Sequence, residues 1–211
     1  MIRIFALWLL FASPALATDD AWPALYDVEG VAADDVLNIR SAPDAGAPKI
    51  GTIQHDADNI EVIATNVAGT WGLVNTDEGS GWVSLAFLAR QPGQREGHFP
   101  DVRQCFGTEP FWNIKIDPPR AAFSSQDAES RDGVISGLYR SRNRRDRFVF
   151  AGAFFPDDFG VLDMELILRT EACSDGMSDR AYGISADLFM SGSTNPDAHQ
   201  LLSGCCSISP P

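Results

Sequence analysis

Four cysteines constrain this 211-residue chain more than any other feature, and all four fall in its second half. Cys105 opens the run Cys105-Phe106-Gly107-Thr108-Glu109-Pro110-Phe111-Trp112, Cys173 opens Cys173-Ser174-Asp175-Gly176-Met177-Ser178-Asp179, and Gly204-Cys205-Cys206 lies near the end. An even number of cysteines confined to one segment, beside turn formers and aromatic residues, is the pattern of covalent staples in an exported domain. Successive residues of a strand point to opposite faces, so Cys205 and Cys206 cannot reach the same partner. A bridge between the two would itself be strained. Cys105 therefore takes one of them and Cys173 the other, and the sequence leaves open which. Each bridge closes a long loop, worth roughly 4 kcal/mol in the chain-entropy model.

The first residues agree with export. Met1-Ile2-Arg3 precedes an unbroken apolar run from Ile4 to Ala12, and Ser13-Pro14-Ala15-Leu16-Ala17 supplies a break and small residues, so residues 1–17 read as a signal peptide cleaved after Ala17. The run is shorter than the roughly twenty residues a membrane span needs, and no second one follows, so no stable membrane insertion is expected after cleavage. A periplasmic or secreted protein is the expectation. Between Thr18 and Pro92 there are twelve acids against three bases, whereas Gly93 to Pro211 carries seventeen against twelve, within a formal net charge of −13. That charge disfavours nucleic acid or an anionic membrane as partner and permits a cationic one.

Residues 22–90 alternate short apolar runs with turn chemistry and show no 3.6-residue period, the signature of a small all-β unit. Strands are expected at Leu37–Arg40, Ile50–Ile53, Ile60–Ala64, Trp71–Val74 and Trp82–Val83. The runs Leu37-Asn38-Ile39-Arg40-Ser41-Ala42-Pro43 and Gly81-Trp82-Val83-Ser84-Leu85-Ala86-Phe87-Leu88 resemble the opening and ending of a bacterial SH3-like domain, with Phe87 where that family usually carries Tyr. The resemblance implies an SH3-like barrel that targets cell-wall or peptide ligands. Arg40 suits an anionic group and Trp71 and Trp82 suit stacking on a sugar or peptide, although carboxylate pairing and core packing are the plainer roles for such residues.

Residues 91–100, with Pro, two glycines and several charges, read as a linker, and His98 as a solvated member of it. Beyond it, residues 101–211 offer strands at 113–117, 121–123, 134–139, 148–154, 164–169, 184–190 and 200–206, without a convincing helix. The fold class is all-β: a small SH3-like barrel followed by an antiparallel barrel or sandwich stapled by Cys105, Cys173, Cys205 and Cys206. In a closed up-and-down sheet the first and last strands are neighbours, which would bring Cys105 to the adjacent pair. Phe111, Trp112, Phe123, Tyr139, Phe148, Phe150, Phe154, Phe155, Phe159, Tyr182 and Phe189 are the expected core aromatics. The three cysteine blocks together resemble a family of bacterial envelope proteins of unknown activity, although Arg180-Ala181-Tyr182-Gly183 stands where Tyr-Pro-Tyr is expected.

Chemistry has few carriers. Glu109, Asp175 and Asp179 are the acids of the cysteine blocks and would suit acid–base or glycosidase-like work if the staples bring them together and burial raises one of them. Otherwise they satisfy backbone amides and turns. His55, His98 and His199 are scattered and no Cys-x-x-Cys occurs, so no metal or cofactor is expected. The run Arg140, Arg142, Arg144, Arg145 and Arg147 is the one basic feature, suited to phosphate or an acidic glycan, or to a solvated turn facing the acidic first domain. The preferred reading is a non-enzymatic envelope protein that binds a cell-wall component or another protein. The alternatives are an envelope hydrolase using Glu109 with Asp175 or Asp179, and an acidic inhibitor of a cationic hydrolase.

Overall fold

A computed structural model of the chain describes residues 22–94, 97–126, 128–155, 160–192 and 199–209. The expected leader, linker residues 95–96 and Phe159 lie outside the described residues.

In the first unit, β1 (Ala24–Val28) pairs with β4 (Ile60–Val62) and β8 (Leu88–Arg90) in a three-stranded sheet. A five-stranded sheet runs β3-β2-β7-β6-β5, with β2 at Val36–Arg40, β3 at Lys49–Gln54, β5 at Ala64–Thr65, β6 at Trp71–Asn75 and β7 at Ser80–Ser84. Alternation does the sorting here. Leu37, Ile39, Val74 and Val83 are buried in one cluster with Ala24, Tyr26, Val28 and Val62, while their strand neighbours turn outward.

The second unit is a closed eight-stranded antiparallel barrel, β9 to β16 in chain order with β16 returning to β9. Its strands are β9 (Gln104–Thr108), β10 (Phe111–Asp117), β11 (Arg120–Ser125), β12 (Ala128–Arg140), β13 (Arg147–Phe154), β14 (Leu162–Cys173), β15 (Tyr182–Gly192) and β16 (Gln200–Ser207). Seven of these match the expected segments. The eighth, β9, is the first cysteine block itself: Cys105 sits inside a strand rather than ahead of one, and Glu109-Pro110 turns β9 into β10. Inward positions at every second residue, among them Ile114, Phe123, Phe150, Leu166, Leu168, Ile184 and Leu188, fill the interior as one core. Each such side chain removed from water stabilises the fold by about 1.5–3 kcal/mol.

Six of the expected core aromatics are buried: Trp112, Phe123, Phe148, Phe150, Phe154 and Tyr182. Phe111, Tyr139, Phe155 and Phe189 are instead exposed. Phe111 and Phe189 neighbour inward residues on their own strands, so the pleat turns them out.

The staples form as two bridges, Cys105–Cys206 and Cys173–Cys205. Register makes the choice the sequence left open. Cys206 stands directly opposite Cys105 on β16 and β9, with their Cα atoms 3.9 Å apart. Cys205 points the other way, toward Cys173 at the end of β14.

The two units share more than a tether. β1 is buried on both faces: Ala24, Tyr26 and Val28 belong to the first core, and Leu25 to the barrel core. The Gln91 amide donates to the Leu25 carbonyl (2.9 Å), the Gln94 side chain accepts from the Leu25 amide, and Phe99 packs edge-on against Phe148 and Phe150. The segment joining the units is therefore pinned at both ends.

Candidate binding face

The outward residues of the five-stranded sheet come together in rows set by strand register. Arg40 stands opposite Trp82 on the β2–β7 pair, Trp82 opposite Leu73 on β7–β6, and Leu73 opposite Ala64 on β6–β5. One row therefore crosses four strands. Trp71 and Ser84 form the next row on the same face. Arg40, Trp71, Leu73 and Trp82 are all half-buried, whereas Ile39, Gly72, Val74, Gly81 and Val83, pointing inward between them, are buried. One guanidinium nitrogen of Arg40 donates to the Ala47 carbonyl (2.7 Å), a neutral partner that tethers the side chain without cancelling its charge. The three ligand candidates read from the sequence thus share one face, and Leu73 is a member the sequence reading did not single out. The Trp71-x-Leu73 alternation carried that signal.

The barrel borders this face. Asn75 and Ser80, the row beyond Leu73 and Trp82, are taken up by the turn between β14 and β15: the Asn75 side-chain amide donates to the Ala181 carbonyl (2.9 Å), and the Ala181 amide donates to Ser80 Oγ (2.9 Å) and Asn75 Oδ1 (3.1 Å). Arg180 donates to the Asp77 carbonyl (2.8 Å). Arg180-Ala181 is thus one of the segments through which the second unit docks on the first.

The acids of the cysteine blocks are arranged differently from what an acid–base pair needs. Thr108 donates its hydroxyl to the Asp175 carbonyl (2.6 Å), so the first two blocks do meet. Yet the Asp175 carboxylate closes its own turn, accepting from the amides of Met177 (3.0 Å) and Ser178 (2.9 Å) and from the Ser178 hydroxyl (2.7 Å). Burial pushes this carboxyl up, but those hydrogen bonds outweigh it and leave it below the ordinary range. A general acid requires the opposite shift. Glu109 and Asp179 are exposed, and the Asp179 backbone carbonyl accepts from the Ser80 hydroxyl (3.4 Å). Among the described residues no group of three or more His, Cys, Asp or Glu could hold a metal ion. His55 lies 4.0 Å from Asp56, His98 is exposed, and His199 lies beside the Phe189 ring.

Residues 35–89 match the bacterial SH3 domain. No curated protein and no solved structure matches the chain. The match covers the whole aromatic face of the SH3 unit and stops short of the barrel.

Glu61, on β4 of the SH3 unit, is a charged residue beside buried Val62 that the sequence did not single out. Its outward side meets the barrel. Oε2 accepts from the Ser207 hydroxyl and from the amides of Ile208 (3.2 Å) and Ser209 (3.2 Å), while Oε1 is closed to solvent without a hydrogen-bond partner. The residue as a whole is half-buried, while Oε1 itself is closed to solvent. Burial pushes the Glu61 carboxyl above the ordinary carboxylate range, and the hydrogen bonds from Ser207, Ser209 and Ile208 restore only part of the difference. The folded protein therefore holds this proton more tightly than the unfolded chain. Its contribution to stability is full below the ordinary carboxylate range and declines as pH rises through the raised value. Glu61→Gln keeps an acceptor for the three donors but no longer titrates. In thermal melts between about pH 4 and about pH 8, the variant is expected to gain on the parent protein steadily with rising pH. A difference that does not change with pH would exclude a raised Glu61. Glu61→Ala, which strands the three donors, is expected to cost about 1–3 kcal/mol.

Proposed function

We propose that this chain is an exported, non-enzymatic binding protein whose SH3 unit holds a cell-wall component or envelope protein against the face formed by Arg40, Trp71, Leu73 and Trp82. The observation that carries this reading is the row Arg40–Trp82–Leu73, with Trp71 beside it, half-exposed on one sheet. Aromatic rings that share a face with a guanidinium suit ligands that are part apolar and part polar, such as sugars and short peptides. The two disulfides support an oxidising compartment, in keeping with a leader at residues 1–17. The barrel, with its filled interior, buttresses the sheet through Ala181 and Arg180 and leaves the outer rows open.

The test is retention on purified peptidoglycan and on envelope protein extracts. Trp82→Ala is expected to weaken retention by about tenfold or more, the loss of one well-packed aromatic anchor. Trp82 is half-buried outside the core, so the variant should melt at a lower temperature but still unfold cooperatively, and retention is compared where both proteins are folded. Unchanged retention by the variant would rule out this face, and release of soluble wall fragments by the pure protein would rule out a non-enzymatic role.

A further inference from the structure

The hairpin joining β12 to β13 concentrates positive charge in a chain whose net charge is negative. Residues 140–147 carry five arginines and one aspartate, a net of +4 in a chain of net −13. Arg140, Arg142, Arg144 and Arg145 line a single concavity of about 750 Å³ with Gly97 and Phe148. All four are exposed.

The one acid of the hairpin is taken up by Arg144, beside Arg147, and not by Arg140 or Arg142. Asp146 receives two hydrogen bonds from Arg144, at 3.0 and 2.8 Å, and lies 3.8 Å from Arg147. The hydrogen bonds from Arg144 hold its carboxyl down at about 2, so it is fully ionised and already engaged. Arg140 is held by the Gly97 carbonyl at 3.3 Å, a neutral partner that positions the guanidinium without cancelling its charge.

The tip is also fixed in shape. Ser141 Oγ accepts from the amides of Asn143 (3.4 Å) and Arg144 (3.2 Å), the Ser141 amide donates to the Arg147 carbonyl (3.0 Å), and the Thr170 amide donates to the Asp146 carbonyl (3.1 Å). Guanidiniums gathered on a rigid turn repel one another, and an anion seated among them relieves that repulsion without having to order the backbone. A planar guanidinium fork matches the paired oxygens of a phosphate. Size follows from range: charges farther away than about 8 Å are largely screened, so a single phosphate feels chiefly Arg140 and Arg142, whereas an extended polyanion also meets the acidic surface.

We propose that the concavity of the β12–β13 hairpin binds the phosphate group of an envelope ligand, with Arg140 and Arg142 as its principal donors. The site lies on the barrel and does not depend on the aromatic face of the SH3 unit, so either assignment can fail while the other stands.

Two probes test it on the folded, oxidised chain: inorganic phosphate, followed through backbone amide resonances, and phosphatidylcholine vesicles with and without phosphatidylglycerol, followed by co-sedimentation. Phosphate at millimolar concentration is expected to shift the amides of residues 140–147, and sodium chloride at matched ionic strength is not. The double variant Arg140→Gln, Arg142→Gln is expected to weaken phosphate binding by about tenfold or more, since each charge-assisted hydrogen bond lost is worth about that factor. Vesicle binding that requires phosphatidylglycerol and is displaced by free phosphate would assign the group to a lipid headgroup. Phosphate shifts without vesicle binding would assign it to a diffusible ligand. Absence of phosphate-specific shifts at the hairpin, or shifts fully retained in the double variant, would overturn the proposal.

Discussion

Replacing Cys105 and Cys206 together by alanine is expected to lower the unfolding free energy by about 4 kcal/mol, a large share of the roughly 5–15 kcal/mol that holds a typical domain folded. The two bridged residues are 101 positions apart, and the chain-entropy cost of leaving such a loop open in the unfolded state is about 4.7 kcal/mol when it is the only link. The second bridge, Cys173–Cys205, spans 32 positions inside the first and shortens the path around the outer loop, so the increment is somewhat smaller. Native topology adds to the effect. β16 meets β9 through three residue pairs, whereas β14 meets β15 through ten. The closing ladder is thus the weakest in the barrel, and the Cys105–Cys206 bond lies in the middle of it. Without that bond two strand edges come free and invite pairing with other chains. Alanine is the informative replacement, because Cys105 and Cys206 are fully buried and serine would carry a hydroxyl into an apolar site. Chemical denaturation of oxidised parent and variant measures the difference. The sulfurs should also differ in access: Cys173 is half-buried while its three counterparts are fully closed off, so thiol trapping in mild reductant should open Cys173–Cys205 first. A variant as stable as the parent would mean that the ladder closes the barrel unaided.

Period-two alternation is local, and wherever one face meets the core and the other meets water it can be read from the chain. That is why the Leu37-x-Ile39 strand, the Trp71-x-Leu73 strand and seven barrel strands were legible. The failures occur where a second surface covers the outward face. Nothing local marks Glu61, whose carboxylate meets Ser207 and Ser209 of the barrel. Leu25 belongs to a different core from Ala24 and Tyr26, which no single-strand pattern can express. β9 is hard to read because it is short and Gly107 weakens its strand signal. The candidate residues Arg40, Trp71 and Trp82 were legible one at a time, but their meeting depends on the register of β2 against β7, a pairing between segments about forty residues apart. The same limit applied to the cysteines. A one-residue slip of β16 would exchange the partners of Cys205 and Cys206.

What forbids that slip is a close approach of backbones beside the bridge, and it yields the most severe single-residue effect expected in the barrel. Gly107 pairs with Trp112 across the β9–β10 hairpin, and the Trp112 indole lies where a Gly107 side chain would be, donating to the Ser203 carbonyl (3.3 Å). A Cβ at Gly204 would fall on the Phe106 carbonyl and against the Cα of Gly107. Neither obstacle is a flexible side-chain end. Both are backbone of the partner strand, so the seam would have to open to admit even a methyl group. Gly204→Ala is therefore expected to cost about 3 kcal/mol or more, at the upper end of overpacking penalties, and to lower the fraction of chains in which Cys105 pairs with Cys206. Leu201→Ala on the same strand provides the comparison. Leu201 is 65% exposed, and its truncation should change stability by no more than about 0.5 kcal/mol. Denaturation of both variants, with disulfide mapping of each under non-reducing conditions, separates a general weakness of β16 from the specific collision at position 204. If Gly204→Ala proved as stable as Leu201→Ala with its bridges intact, β9 and β16 would have room between them, and the glycines of the first and third cysteine blocks would lose their structural reason.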